Sequence, residues 1–418
     1  MNTPRRARAA AGTALATALL ASLAGCSGGA SGSASSADSG TYTFWDPYPQ
    51  FDAASPWGKR VAECGRHAGV KIERTPMDTT DLATKALLAG QQSNLPDVML
   101  VDNPAVSTLA EAGILAKVSD TGLKSDGMQK NILDAGTIDG ELYGVPIGAN
   151  TLALYYNADV LKKAKVDPAS VTDWKSLTAA LAKVKAAGSK GITFSATKTE
   201  EGSFQFLPWF WGAGAELTDI DSPAAVSALT LWKDWLEDGY APNSVINNTQ
   251  TTSWQEFATG DYAFGENGTW QLANAEKAGF DYGVISIPSA RGGAAPVPTG
   301  GEFVTLPVQD DSAREEVTTK IVSCLISETN LLATDTTLSY IAPSAQVQAR
   351  QVEDNSELGP WVDAVAVARG RTSGGMNTDY PVVSEQLWTA VQAGLSGAQS
   401  PKAALASAQN AAQSKTGH

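Results

Sequence analysis

From residue 41 onward the chain alternates strand-like and helix-like runs, and this alternation limits its fold more than any other feature. Thr41-Tyr42-Thr43-Phe44-Trp45 has the pattern of a short strand and ends in the loop Asp46-Pro47-Tyr48-Pro49. Ser55-Pro56 opens a helix, with serine as N-cap and proline at the first helical position. Asp97-Val98-Met99-Leu100-Val101 reads as a buried strand followed by the polar turn Asp102-Asn103-Pro104. Thr172 is expected to cap a helix whose apolar face is Trp174, Leu177, Leu181 and Val184, and Gly188 to stop it. Ser222-Pro223 opens another, with Val226, Leu229, Trp232 and Trp235 on one face and Gly239 at its end. The alternation predicts α/β layers with mainly parallel sheets. Ligands of such sheets sit beyond the carboxyl ends of the strands. The turns after Trp45 and Val101 are therefore candidate site loops.

The first forty residues address the compartment. Arg5, Arg6 and Arg8 precede an apolar run over residues 9–24, which describes an export signal. The run is too short for a transmembrane helix, which needs about 20 residues. Leu23-Ala24-Gly25-Cys26 resembles the lipobox of bacterial lipoproteins. It implies a signal peptide over residues 1–25, cleavage before Cys26 and lipidation of that thiol, or else an ordinary secretory signal with a coincidental cysteine. Residues 26–40 are almost wholly Ser, Gly and Ala after Cys26, a composition that behaves as a flexible tether. A diacylated cysteine would hold the protein at a membrane it does not span. The Ala-rich, Lys-poor composition points to the outer face of a single, Gram-positive membrane.

The remaining chain is long enough for two domains. The formal net charge of the whole chain is −14, and loss of the three signal arginines would move it to −17. An acidic surface argues against nucleic acid and against electrostatic adhesion to anionic lipid. Cys64 and Cys324 are an even pair in an oxidising compartment, either joined as a disulfide or buried separately. Only two histidines occur, His67 and His418, and there is no metal-ligand spacing, phosphate loop or dinucleotide fingerprint. A Ser-His-Asp site would have to use His67, which falls in a helix-like stretch and is expected to face solvent. No catalytic residue, metal or cofactor is assigned. A glycosidase, which needs two carboxylates in one cleft, stays open.

Several blocks resemble extracellular solute-binding proteins of ABC importers. They are Leu95-Pro96-Asp97-Val98, residues 109–115, residues 139–146 followed by 150–157, residues 257–264 with Asn267-Gly268-Thr269-Trp270, Tyr340-Ile341-Ala342-Pro343-Ser344, and the tail over residues 387–409. They cover the folded chain in family order and are most similar to the carbohydrate-binding branch that includes maltose-binding protein. The resemblance implies a two-lobed, periplasmic-binding-protein-like α/β fold of type II, with a ligand cleft between lobes joined by hinge strands. Lobe I would comprise residues 41–148 plus 301–342, and lobe II residues 149–300 plus 343–418. The crossings are expected near Ala149, Gly300 and Pro343. The implied function is capture of a sugar, an oligosaccharide above all, by a lipid-anchored monomer that delivers it to the importer's membrane subunits and catalyses nothing. The competing readings are a non-sugar solute such as a polyamine or other small polar metabolite, a secreted glycosidase, and a sensor that reports occupancy.

Sugars present edge hydroxyls and flat C–H faces, so a site needs aromatic plates rimmed by polar groups. Trp270 matches a sugar-stacking position of the family. Trp45, Asp46 and Tyr48 end the first strand, where Asp46 can accept hydroxyls or serve as a turn residue. Asp102 and Asn103 match the family's ligand loop, although an Asx turn before Pro104 would use the same residues. Asn150 stands at the first crossing, and its amide suits a hydroxyl. Phe204 and Gln205 align with a ligand loop of the second lobe, whereas Trp209 and Trp211 read as packing. Gly301 and Glu302 let backbone approach a ligand or form a hinge turn. Asn377 and Tyr380 lie in a Gly-rich loop that begins with Arg371, and Arg371 can instead pair with a surface acid. The family's C-terminal stacking tryptophan has no in-phase counterpart; Trp388 falls close by.

Overall fold

The computed structural model describes residues 40–416. The expected signal, the lipidated Cys26 and the tether up to residue 39 lie outside the described residues. The strands are Thr41–Asp46 (β1), Lys71–Pro76 (β2), Val98–Asp102 (β3), Thr137–Ile138 (β4), Glu141–Leu142 (β5), Val145–Pro146 (β6), Leu152–Asn157 (β7), Lys190–Thr193 (β8), Tyr262–Gly268 (β9), Tyr282–Ile285 (β10) and Glu302–Thr305 (β11). One sheet runs β2-β1-β3-β11-β6, a second β10-β7-β9-β8, and β4 and β5 form a hairpin.

The sheets are mixed, which corrects the expectation of mainly parallel pairing. β1 lies parallel to β2 and β3, and β8 parallel to β9. β11 runs antiparallel to β3 and β6, and β7 antiparallel to β9 and β10. The reason is connectivity. A helical crossover within one sheet returns the chain parallel. β11 instead enters the first sheet from the second and meets β3 head to tail.

Each sheet carries its own core. Around the first, Phe44, Trp57, Leu100, Val304 and Ile321 are buried together. Around the second, Phe194, Phe206, Trp209, Phe210, Trp232 and Trp235 form the largest aromatic packing, with Phe194 and Trp232 centroids 4.1 Å apart. Trp209 and Trp211 are buried and serve packing, as expected of them. Helices cap as the sequence dictates. Ser55 accepts from Gly58 N at 3.0 Å to start Pro56–His67, and Ser222 accepts from Ala225 N to start Pro223–Glu237. Helix Trp174–Ala186 is capped by Asp173 rather than Thr172. The Asp173 carboxylate accepts from Ser176 N at 2.7 Å while Ser176 Oγ accepts from Asp173 N, a reciprocal box that Thr172 stands one residue too early to close.

Cys64 on Pro56–His67 and Cys324 on Ser312–Leu325 form a disulfide, with Cα atoms 5.5 Å apart. Three chain segments pass side by side between the sheets. Ala149 N donates to Ile341 O at 2.7 Å, and Ile341 N donates back at 2.8 Å. Asn150 and Gly300 exchange bonds at 3.2 and 2.8 Å. Gly301 has φ +104°, and a Cβ there would stand 2.6 Å from Gly148 O, so both backbone angle and space require glycine. No helix among the described residues is long and apolar enough to cross a membrane.

Candidate ligand cleft

The carboxyl end of β3 and the crossing segments converge on one region between the two sheets. Glu302, the first residue of β11, is 8% exposed. Its Oε2 accepts from the Tyr48 hydroxyl at 2.6 Å and the Tyr340 hydroxyl at 2.7 Å. Tyr48 is held edge-on against Trp57, with centroids 5.5 Å apart. Asn150 lies alongside: its Oδ1 takes the space that a Cβ on Gly300 would need, at 1.9 Å. Burial pushes the Glu302 carboxyl up to about 7, helped by the charge of Asp102, against the two phenols and Arg371, which pull it down. Folding therefore retains a proton that the unfolded chain releases near 4.5. The associated stability is full below that value and lost as pH rises through about 7, by about 3 kcal/mol. Glu302→Gln is expected to flatten the fall in melting temperature between pH 4.5 and 8, and an unchanged slope would assign the proton elsewhere.

Arg371 is the hub of the wall above, 3% exposed. One Nη donates to Glu200 Oε1 at 2.8 Å; the other reaches Asp102 Oδ1 at 3.0 Å and Asn103 Oδ1 at 3.3 Å. The guanidinium carbon stands 5.0 Å from the Phe204 ring centre and 5.9 Å from that of Tyr380. Glu200 also accepts from the Tyr380 hydroxyl at 2.5 Å and from Ser384 Oγ. Asp102 caps helix Asn103–Glu111, accepting from Asn103 N at 2.9 Å. Burial is the larger influence on it and raises its carboxyl, with Arg371 opposing. Beside this cluster lies a cavity of 260 Å³, walled by Asp102, Pro104, Glu200, Arg371, Tyr380 and Trp388 and reaching Thr79 and Ala83 on the far side. Phe204 continues the aromatic surface to Trp270, with centroids 6.3 Å apart.

The structure thus gathers Tyr48, Asp102, Asn150, Phe204, Trp270, Gly301, Glu302 and Tyr380 around one interlobe region. Other predicted residues take structural roles. Asp46 is fully buried; its carboxylate holds both Arg74 and Trp57 Nε1, leaving no oxygen for a ligand. The Asn103 amide donates to Thr299 O at 2.9 Å and Gly301 O at 3.3 Å, tying the helix start to the crossing segment. Gln205 is buried, accepting from Ser195 N and donating to Glu266 O. Trp45 packs half-buried against the core of Met99 and Val101. Asn377 adopts a left-handed φ of 36°, and its carbonyl accepts from Ser107 Oγ at 3.3 Å, a backbone contact between loop and helix.

Four further residues shape the site. Arg371 pairs with cleft acids rather than a surface acid. Trp388 lines the cavity despite its unmatched phase. Glu200 carried no signal beyond a pair of acids in the first turn of a helix, an ordinary macrodipole pattern. Tyr340 did carry a signal, the block Tyr340-Ile341-Ala342-Pro343-Ser344.

The profile of the bacterial extracellular solute-binding protein family matches residues 59–360. The maltodextrin-binding protein MdxE of Bacillus subtilis is 31% identical over 228 residues, 51% of this chain and 52% of the relative. The chain spans about half the length of the curated relatives it matches. Among solved structures, the cyclic alpha-maltosyl-1,6-maltose binding protein of Arthrobacter globiformis superposes with a TM-score of 0.75 at 22% identity, covering 90% of this chain and 98% of that one. UgpB of Mycobacterium tuberculosis, in complex with glycerophosphocholine, gives 0.76 at 20% identity, covering 90% and 98%. Sequence, fold and an interlobe cavity agree: the chain belongs to the bacterial extracellular solute-binding protein family.

Proposed function

We propose that the protein captures a saccharide between its two lobes and delivers it to an ABC importer without chemical change. The observation that carries this reading is the interlobe cavity, where the rings of Tyr380 and Trp388 stand beside the carboxylates of Asp102 and Glu200. Aromatic plates with polar rims suit a sugar's C–H faces and hydroxyls. Asp102 and Glu200 both bind Arg371, an arrangement that suits binding better than the free acid and base of a glycosidase. The lobes comprise residues 41–148 plus 301–342 and residues 149–300 plus 343–418, and hinge about the three crossings. A monomer tethered through lipid on Cys26 at the outer face of a Gram-positive membrane completes the proposal. Relatives support the cargo: MdxE is a maltodextrin-binding protein, and a similar lipoprotein of Streptococcus pneumoniae serves a maltooligosaccharide ABC transporter.

Thermal unfolding of the purified protein with mono-, di- and trisaccharides, polyamines and amino acids tests it. A saccharide at about 100 times its dissociation constant is expected to stabilise the fold by about 2.7 kcal/mol, and Trp388→Ala to weaken that response. Stabilisation by a polyamine or amino acid alone would refute the saccharide reading.

A further inference from the structure

The family fold accepts neutral oligosaccharides and, in UgpB, a phosphodiester, so the fold alone does not set the charge of the cargo. The charge is decided at Arg371. A single buried guanidinium in a cavity wall is the natural partner of a phosphate or carboxylate. Here its two Nη groups already serve Glu200 and Asp102, with Asn103 adding a third oxygen. Its Nε–H is itself buried and has no acceptor among the described residues. One positive group thus faces two carboxylates in the same wall. A neutral hydroxyl brought to this wall meets no like charge. A phosphate brought to the same place would meet Asp102 and Glu200 as like charges, and such juxtaposition costs several kcal/mol.

We propose that Asp102 and Glu200 are specificity-determining residues that hold Arg371 charge-compensated, so that the cleft takes neutral saccharides and rejects phosphorylated or acidic ones. The proposal rests on the saccharide reading above and adds to it the sign of the cargo. Its mechanism is repulsion of the wrong ligand more than attraction of the right one. Both acids can be neutralised with little change of shape. Asp102→Asn keeps an N-cap for helix Asn103–Glu111. Glu200→Gln keeps an amide oxygen to accept from Tyr380, and its amide nitrogen can donate to Ser384 Oγ.

Calorimetric titration of the wild type and the Asp102→Asn/Glu200→Gln variant with glucose, maltose and lactose and their 6-phosphates tests it. The wild type is expected to favour the neutral member of a pair by about a hundredfold, and the double variant to narrow that ratio at least tenfold by gaining affinity for the phosphate. Equal wild-type binding of both members would overturn the proposal while leaving saccharide capture intact, as would an unchanged ratio in the variant. Silence from every sugar and sugar phosphate would remove both readings. Melting curves establish that the variant is folded; should it unfold, each single substitution is titrated in its place, with half the narrowing expected.

Discussion

Replacing Cys64 and Cys324 together by serine is expected to lower the unfolding free energy by roughly 5 kcal/mol, taking the chain-entropy account of a disulfide. The cystine closes a loop across a sequence separation of 260 residues. That loop holds most of the folded chain, including the whole β7–β10 sheet, so it restricts the unfolded ensemble over its full length. The bond also fixes helix Pro56–His67 to helix Ser312–Leu325, two elements of the first core that are distant in sequence. Urea denaturation under oxidising conditions measures the effect. The variant should unfold at a lower midpoint and with a larger slope, because its unfolded state exposes more surface. A loss below about 1 kcal/mol would mean that the unfolded chain stays compact without the bond. Saccharide binding by the folded variant should persist, since neither cysteine lines the interlobe cavity.

Asp46→Asn is expected to cost about 3 kcal/mol of stability through a different mechanism, the breaking of a buried ion pair. Arg74, whose side chain is 12% exposed, donates twice to the Asp46 carboxylate and also holds Tyr48 O at 2.7 Å. With the carboxylate gone, the guanidinium stays buried without its counter-charge. The measurement pairs a melting curve with a binding titration well below the melting point. Stability should fall while the dissociation constant changes little. The reverse result, lost affinity with an unchanged melt, would return Asp46 to the ligand site where its position after the first strand had suggested it belonged.

Asp46 shows where sequence reading succeeds and where it stops. Its place at the end of a strand, in a loop facing the cleft side of the sheet, was legible. Its role was not, because that depends on Arg74, which lies on the neighbouring strand 28 residues away. Asn103 and Gln205 went the same way: each side chain is absorbed by backbone atoms that only the crossing segment and the second core bring near. Trp388 erred in the opposite direction. A phase mismatch along the sequence counted against it, yet helix Tyr380–Leu395 sets it on the cavity wall beside Tyr380.

What the sequence by itself determined is local in origin. Serine followed by proline fixed two helix starts, because a cap needs only its own next three residues. Periodic apolar residues fixed which faces are buried, because burial follows from the geometry of one element. The tertiary structure alone decided the direction of β11, the partner of each cysteine and the composition of the cleft. Arg371 lies 171 residues from Glu200 and 269 from Asp102, and their meeting rests on three chain crossings. A polar side chain is a ligand group, an ion-pair partner or a cap according to what stands within about 3 Å of it, and that distance is set by the fold as a whole.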